Sequence, residues 1–238
     1  MSIKYSVVIP LKNEEENIAD LIHELEPIML SLKSPWELIC IDDGSTDNTL
    51  GILSQLASQK PFLRLLVFDR NYGQSCAFDA GFRNARGEWI ITLDGDRQND
   101  PSDIPKLLVE AANYDLICGR RVNRRDPWHK KLTSRLANFV RSRLCGDHVK
   151  DTGCSLKVYR RECFQRIKMF KGMHRFLPAL FKIEGFRILE IPVNHRERLK
   201  GQTKYNFLNR SFNTIADMLA VRWMLKRRIN YRIDKEIP

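Results

Sequence analysis

Three clusters in this chain carry groups that can do chemistry. Asp94–Gly95–Asp96–Arg97–Gln98 follows an apolar run, Trp89–Leu93. A D-x-D at the end of a strand brings two carboxylates near one point. Hard divalent cations favour oxygen ligands, and Mg²⁺ or Mn²⁺ held there can also bind substrate phosphates. Gln98 offers a third oxygen. Asp and Gly are equally at home in turns, so this pentapeptide alone leaves a plain turn open. Asp42–Asp43–Gly44–Ser45–Thr46–Asp47 joins a strand to a helix, with Ser45 or Thr46 placed to cap that helix. Capping explains one hydroxyl. It does not explain two adjacent carboxylates, which suit the donors of a ribose or a base edge. Pro10 with Asn13–Glu14–Glu15 is a third group of acceptors. Ordinary acidity in a first helical turn would account for its glutamates.

These clusters need elements to position them. The first 118 residues alternate in a βα rhythm. Strands are expected at Tyr5–Ile9, Glu37–Ile41, Leu63–Phe68, Trp89–Leu93 and Tyr114–Gly119. Helices are expected at Asn13–Leu32, Thr46–Gln59, Gln74–Ala85 and Pro101–Ala112. Near-continuous apolar strands between helices indicate a parallel sheet covered on both faces. Ligands of such folds bind beyond the carboxyl ends of the strands, where the polar clusters fall. The second half is less regular, with strands expected at Lys157–Arg160 and Phe186–Val193 and helix at Asn206–Arg227.

Charge divides the chain at the same place. Residues 1–118 hold 10 Lys+Arg and 19 Asp+Glu; residues 119–238 hold 30 and 10. The net +11 is therefore concentrated in one half, which points to an anionic partner. Hydrophobic content of 43% supports a real core and excludes general disorder. The longest apolar runs, such as Leu38–Ile41 and Leu65–Phe68, fall far short of the ~18–20 residues that span a bilayer. No signal-peptide pattern opens the chain. The six cysteines form no C-x-x-C pair and read as reduced, small apolar residues.

The segments IPLKNEEENI, IDDGSTDNT, NYGQSCAFDAGFRNARGEWIITLDGDRQNDP and DTGCSLKVYRR occur in that order. With them the chain resembles the inverting family 2 glycosyltransferases of GT-A fold, and within these the polyprenyl-phosphate group that includes dolichol-phosphate mannose synthase. MHRFLPAL at Met173–Leu180 and HRERLKGQTKY at His195–Tyr205 also match that group. The resemblance implies an α/β, Rossmann-like, mostly parallel sheet flanked by helices, with C-terminal amphipathic helices. It implies a catalytic domain over residues 1–205, with a nucleotide-sugar and metal half (1–118) and an acceptor half (119–205). Residues 206–238 would form a basic helical tail, associated with a membrane or an oligomer.

Roles carry over by position. Pro10, Asn13, Glu14, Asp42, Asp43, Gly73 and Asp94 fall among the donor-binding residues, as do Arg198 and Lys204 of the R-x-x-G-x-[ST]-K element. Thr203 stands there where Ser is commoner. Asp94, Asp96 and Gln98 fall at the metal, Mg²⁺ or Mn²⁺. Arg121, Lys130, Ser134 and Arg135 fall at the acceptor phosphate, with Lys130 where arginine is usual. Asp96, Asp151 and Arg121 are the residues expected at the reaction centre.

A phosphate monoester is already an anion near neutral pH. It needs cations to align it more than a base to deprotonate it. Asp151 is therefore expected to position substrate, with general-base action the lesser reading. The expected reaction moves a sugar from a UDP- or GDP-sugar to a polyprenyl phosphate, for cell-envelope glycan or lipopolysaccharide synthesis. A hydroxyl acceptor on a lipopolysaccharide or polysaccharide is the alternative, and would promote Asp151 to base. A nucleic-acid-binding protein is suggested by basic charge alone and leaves the acidic motifs without a role; no nucleic acid is expected. Basic residues alternate with Trp128, Leu132, Leu136 and Phe139, as on an amphipathic helix at a membrane surface. Phe212–Leu225 can lie there too, Trp223 at the interface and Arg222, Lys226, Arg227 and Arg228 toward anionic headgroups; core packing or an oligomer contact is the equal alternative. The expected location is cytoplasmic, peripheral at the inner face of the cytoplasmic membrane, with a separate membrane subunit or a homo-oligomer as possible partners.

Overall fold

A computed structural model describes residues 2–122, 141–197, 207–229, 232 and 234–235, with side chains described from residue 214 onward in the last helix. The strands are β1 (Tyr5–Leu11), β2 (Trp36–Asp42), β3 (Leu63–Val67), β4 (Trp89–Thr92), β5 (Leu116–Arg121), β6 (Lys157–Arg160) and β7 (Ile188–Val193). The helices are α1 (Ile18–Ser31), α2 (Thr49–Gln59), α3 (Gln74–Asn84), α4 (Ile104–Leu108), α5 (Leu177–Ile183) and α6 (Phe207–Lys226). One sheet has the order β3-β2-β1-β4-β6-β5-β7. All pairings are parallel except those of β6 with β4 and β5.

The strands are apolar throughout because both sheet faces are covered. Tyr5, Val7, Ile9 and Leu11 of β1 point into one core with Ile18, Leu21, Ile22 and Leu25 of α1 and Leu53 of α2. Val8 points to the opposite core, with Ala77, Phe78 and Phe82 of α3, Leu177, Leu180 and Phe181 of α5, and Val221 of α6. This is the two-residue period of a strand serving two layers. Each fully buried Leu, Ile or Phe contributes roughly 1.5–3 kcal/mol relative to exposure. Phe82, Tyr159, Phe164 and Phe181 add a ring cluster with centroids 4.2–5.6 Å apart.

One buried carboxylate ties the first strands together. Glu37 of β2 accepts from Ser6 Oγ (2.7 Å), the Arg86 N–H (2.7 Å) and Arg64 Nη1 (2.7 Å). Burial pushes its pKa up, but these bonds outweigh burial and hold it below the ordinary glutamate value.

Three helices differ from the sequence expectation, the simplest being α2, which begins at Thr49 and not Thr46. α1 begins at Ile18, not Asn13, because the N–H groups of Asn13, Glu14 and Glu15 donate to Ser45 Oγ, Thr49 Oγ1 and Asp47 Oδ2. The 101–112 segment divides into a 3₁₀ turn, the five-residue α4 and a second 3₁₀ turn, with Pro105 in the first turn of α4. The parallel strands β1, β2, β3 and β4 all end at one edge of the sheet, and the loops 12–17, 43–48, 68–73 and 93–100 gather there.

Candidate active site at the carboxyl edge of the sheet

The loop after β1 and the loop after β2 are stitched into one wall. Asn13 has φ +50°, and its side-chain oxygen accepts from the Thr46 N–H at 2.8 Å. Glu15 accepts from the Asn48 N–H at 2.8 Å. The first-turn donor of α2, Thr49 N–H, goes to Asp47 Oδ1 (3.0 Å), so Asp47 does the capping expected of Ser45 or Thr46. Asp43 accepts from the N–H groups of Tyr72 (2.7 Å) and Gly73 (2.9 Å) and from Asn71 Nδ2 (2.7 Å). Asp43 thereby hangs the 71–73 loop on the end of β2. Gly44 makes this fit possible. At φ +66°, a Cβ there would lie 2.6 Å from the Arg70 carbonyl carbon and 2.7 Å from the Asn71 nitrogen.

A cavity of about 1110 Å³ opens against this wall. Pro10, Asn13, Glu14, Asp43, Gly73, Asp94 and Asp96 line it. Asp42 sits beneath, its Oδ2 accepting from the Ser45 N–H at 3.3 Å and its Oδ1 buried without a hydrogen bond. Gln98 is not among the lining residues. Its N–H donates to Asp96 Oδ1 (3.2 Å) and its carbonyl accepts from the Arg196 N–H (2.9 Å).

Asp94 Oδ1 accepts from Gln74 Nε2 at 3.0 Å, and the Asp94 N–H donates to Asn99 Oδ1 at 3.2 Å. Burial, then the neighbouring Asp96 charge, pushes the Asp94 carboxyl up to about 6. Two close carboxylates that raise one another's cost of ionisation fit a hard divalent cation, which relieves both burdens with oxygen ligands. Among the described residues no larger cluster of His, Cys, Asp and Glu gathers to hold a metal.

The far wall is built by Thr152, Gly153, Cys154, Ser155 and Lys157 of the second half of the chain; Arg121 and Asp151, expected at the reaction centre, stand behind it and are not lining residues. Arg121, at the end of β5, donates to Asp151 through its N–H (3.1 Å), Nε (2.8 Å) and Nη2 (2.8 Å). Burial pushes Asp151 up, but Arg121 outweighs it and holds the carboxyl below the ordinary aspartate value. Glu190 of β7 fixes this turn by accepting the N–H groups of Lys150 and Asp151 at 2.9 Å. Arg121 lies near enough to Asp94 for each charge to shift the other. Gly153, beside the guanidinium, lines the cavity.

Gln74, in the polar cluster Asn71–Gln74 at the strand ends, lines the cavity as expected, whereas Ser75, Lys157, Lys171, His174, Arg175 and Asp217 escaped sequence reading as site residues. Lys157 is buried, with Nζ donating to the carbonyls of Thr152 and Cys154. Lys130, Ser134, Arg135, Arg198 and Lys204 lie outside the described residues, as do Trp128, Leu132, Leu136 and Phe139.

A mostly parallel α/β sheet whose carboxyl edge holds a cavity with paired aspartates is the architecture of a GT-A glycosyltransferase. The Glycosyl transferase family 2 profile matches residues 6–168. A relative named dodecaprenyl-phosphate galacturonate synthase, from Rhizobium johnstonii, is 39% identical over 231 residues, which cover 94% of this chain and 68% of the relative. Among solved structures, a mycobacterial protein superposes with a TM-score of 0.72 at 21% identity, covering 93% of this chain and 75% of its own. Glucosyl-3-phosphoglycerate synthase from Mycobacterium tuberculosis, in complex with Mn²⁺, UDP and phosphoglyceric acid, superposes with a TM-score of 0.70 at 18% identity, covering 92% and 78%. This chain belongs to glycosyltransferase family 2 and has the GT-A fold expected from its sequence.

Proposed function

We propose that this enzyme transfers a sugar from a nucleoside diphosphate to the phosphate of a polyprenyl phosphate. The observation that carries this reading is the state of Asp151, the carboxylate that the family resemblance puts beside the reaction centre. Its oxygens accept three N–H groups of Arg121, and its pKa is lowered. A hydroxyl acceptor needs a base. A phosphate acceptor needs a cation, and Arg121, whose guanidinium lies beside the lining residue Gly153, can supply one. The 39%-identical relative, named for a dodecaprenyl-phosphate product, supports the same acceptor. Its name also makes a uronic acid the first sugar to test.

In the reaction, a phosphate oxygen attacks the anomeric carbon on the face opposite the nucleotide. The bond from that carbon to the diphosphate breaks, and the nucleoside diphosphate leaves. Asp151 holds Arg121 in place, and Arg121 orients the attacking phosphate. The wall built on Asn13, Glu14 and Asp43 holds the nucleotide. Asp94 and Asp96 would hold Mg²⁺ or Mn²⁺, which when bound neutralises charge on the departing diphosphate.

The lipid substrate lies in a bilayer, and α6 offers a face to meet it. Ile215, Leu219 and Trp223 follow one another at helical spacing and are 51%, 56% and 63% exposed. Lys226, Arg227 and Arg228 continue the exposed surface. Apolar side chains beside cations suit an anionic membrane surface. Ala216 and Asp217 of the same helix line the cavity, which supports bringing the cavity close to that surface. No helix among the described residues is long and apolar enough to cross a membrane.

The test is incubation of the purified protein with Mg²⁺ or Mn²⁺, labelled UDP- and GDP-sugars including UDP-galacturonate, and undecaprenyl phosphate. Label in the extracted lipid is expected. Label on a glycan hydroxyl, with none in the lipid, would overturn the reading.

A further inference from the structure

Arg121 stands behind the far wall of the cavity, but Lys157 stands in it. Lys157 opens β6 between two neighbouring strands, opposite Thr92 of β4 and Cys118 of β5. It is 3% exposed. Its Nζ donates to the carbonyl of Thr152 at 3.3 Å and to that of Cys154. An ammonium carries three N–H donors. The two carbonyls take two of them, and the third is left for a ligand in the cavity that Lys157 lines.

A buried ammonium is costly unless it is paired. Among the described residues, no carboxylate forms an ion pair with Lys157. Its charge acts from further off on Asp94 and on Asp151, favouring the ionised form of each. Lys157 is thus within electrostatic reach of the paired aspartates and of the Arg121–Asp151 pair. Holding two carbonyls needs no charge, because a neutral amide would satisfy them at lower cost. An anion entering the cavity accounts for the charge. The donor diphosphate already has the aspartate pair and its cation. The turn that Lys157 grips is instead the one that follows Asp151 and abuts Arg121, where a Cβ on Gly153 would lie 2.9 Å from Nη2. Lys157 and Arg121 therefore flank the same turn, one in the cavity wall and the other behind it.

We propose that Lys157 is a catalytic residue whose free N–H donates to the acceptor phosphate, aligning it for attack on the anomeric carbon. This rests on the reading of the acceptor as a phosphate. Lys157 gains and loses no proton in the step. It holds one anionic oxygen of the phosphate while another oxygen attacks. Losing a charge-assisted hydrogen bond to the bound phosphate costs about 10- to 100-fold.

The experiment measures transfer to undecaprenyl phosphate at saturating nucleotide-sugar, and UDP affinity with Mn²⁺ by calorimetry. Lys157→Gln keeps an N–H for the carbonyls and removes the charge. It should lower kcat/KM for undecaprenyl phosphate about 10- to 100-fold and leave UDP affinity unchanged. Lys157→Arg, which keeps the charge, should recover part of the loss. A purely structural lysine predicts the opposite order, with Lys157→Gln close to wild type and Lys157→Arg no better; that order would overturn the proposal. A loss carried by UDP affinity or by the KM of the nucleotide-sugar would overturn it too. The unsubstituted enzyme gives a second measurement that needs no variant to fold. In its nitrogen NMR spectrum the Lys157 ammonium signal should move with undecaprenyl phosphate and stay in place with undecaprenol, which lacks the phosphate. Equal movement with both lipids, or none with either, would overturn the proposal. Label on a glycan hydroxyl, with none in the lipid, would instead remove the phosphate-acceptor reading and this proposal with it.

Discussion

Replacing Asp151 by asparagine separates its two possible roles. The substitution removes the charge and leaves one acceptor oxygen. Of the two 2.8 Å side-chain bonds from Arg121, one is lost and the other becomes neutral at its acceptor. The pair is only 18% and 9% exposed, so water replaces it poorly. At about 1.5–3 kcal/mol per hydrogen bond to a charged group, the cost to stability is about 2–3 kcal/mol. For a chain of this length that is a fall in Tm of roughly 4–12 °C, measurable by calorimetry or circular dichroism. Asp151 is held below its ordinary pKa, so the stability it contributes is complete above the ordinary aspartate range and is lost as pH falls through the depressed value. The gap in Tm between wild type and variant should be full at neutral pH and close in acid.

The kinetic effect should fall on the acceptor. With Arg121 no longer held, kcat/KM for the polyprenyl phosphate should drop about 10- to 100-fold, with the KM of the nucleotide-sugar unchanged. A general base predicts a different pattern, because its removal costs about 10²- to 10⁴-fold in the chemical step itself. A fall in kcat of more than about 1,000-fold, at unaltered Tm and unaltered KM for both substrates, would refute the positioning role.

Three further substitutions probe the rest of the structure. Asp94→Asn should abolish transfer but leave the metal-free protein at least as stable as wild type above about pH 6, where the raised pKa makes the Asp94 charge a burden; Mg²⁺ or Mn²⁺ should raise the Tm of wild type alone. Gly44→Ala forces a Cβ against the backbone of Arg70 and Asn71 at positive φ; it should cost about 2 kcal/mol and raise the KM for the nucleotide-sugar by loosening the loop that Asp43 holds. Trp223→Ala, at a 63% exposed site, should leave Tm unchanged and weaken binding to anionic vesicles about tenfold in a flotation assay.

The strands were legible in the sequence because a strand buried on both faces must be apolar along its whole length. The helices were legible where apolar spacing repeated. What escaped depends on partners distant in the chain. Nothing near Asn13 says that its N–H will find Ser45, 32 residues on, and so delay α1 to Ile18. Nothing in Lys157–Arg160 says that this four-residue strand enters antiparallel between β4 and β5. Asp94 and Asp96 were legible because strand end and spacing bring them together locally. His174 was not, since it reaches the site through Ser75, 99 residues earlier. The motif around it, MHRFLPAL, carried a family resemblance but no local chemistry.

The acidic character of the first half also changes meaning once the contacts are known. Its carboxylates looked like a ligand-facing set, yet many are engaged within the fold. Glu37, Asp47 and Asp100 accept hydrogen bonds from neighbouring loops and side chains, and each has a lowered pKa. A carboxylate that stabilises the fold is one whose charged form the surroundings favour. Asp94 is the opposite case. Asp147 and Asp217 are raised by burial, and an arginine counters each. Asp94 is raised by burial and by a second carboxylate, and a hydrogen bond from Ser155, then the charges of Lys157 and Arg121, only partly offset this. Folding gains nothing from placing two acids there, so the pair marks where function is bought at the expense of stability. In the proposed reaction a divalent cation with the donor diphosphate would resolve that conflict, and the carboxylate that burial and Asp96 make unfavourable would be one the reaction needs.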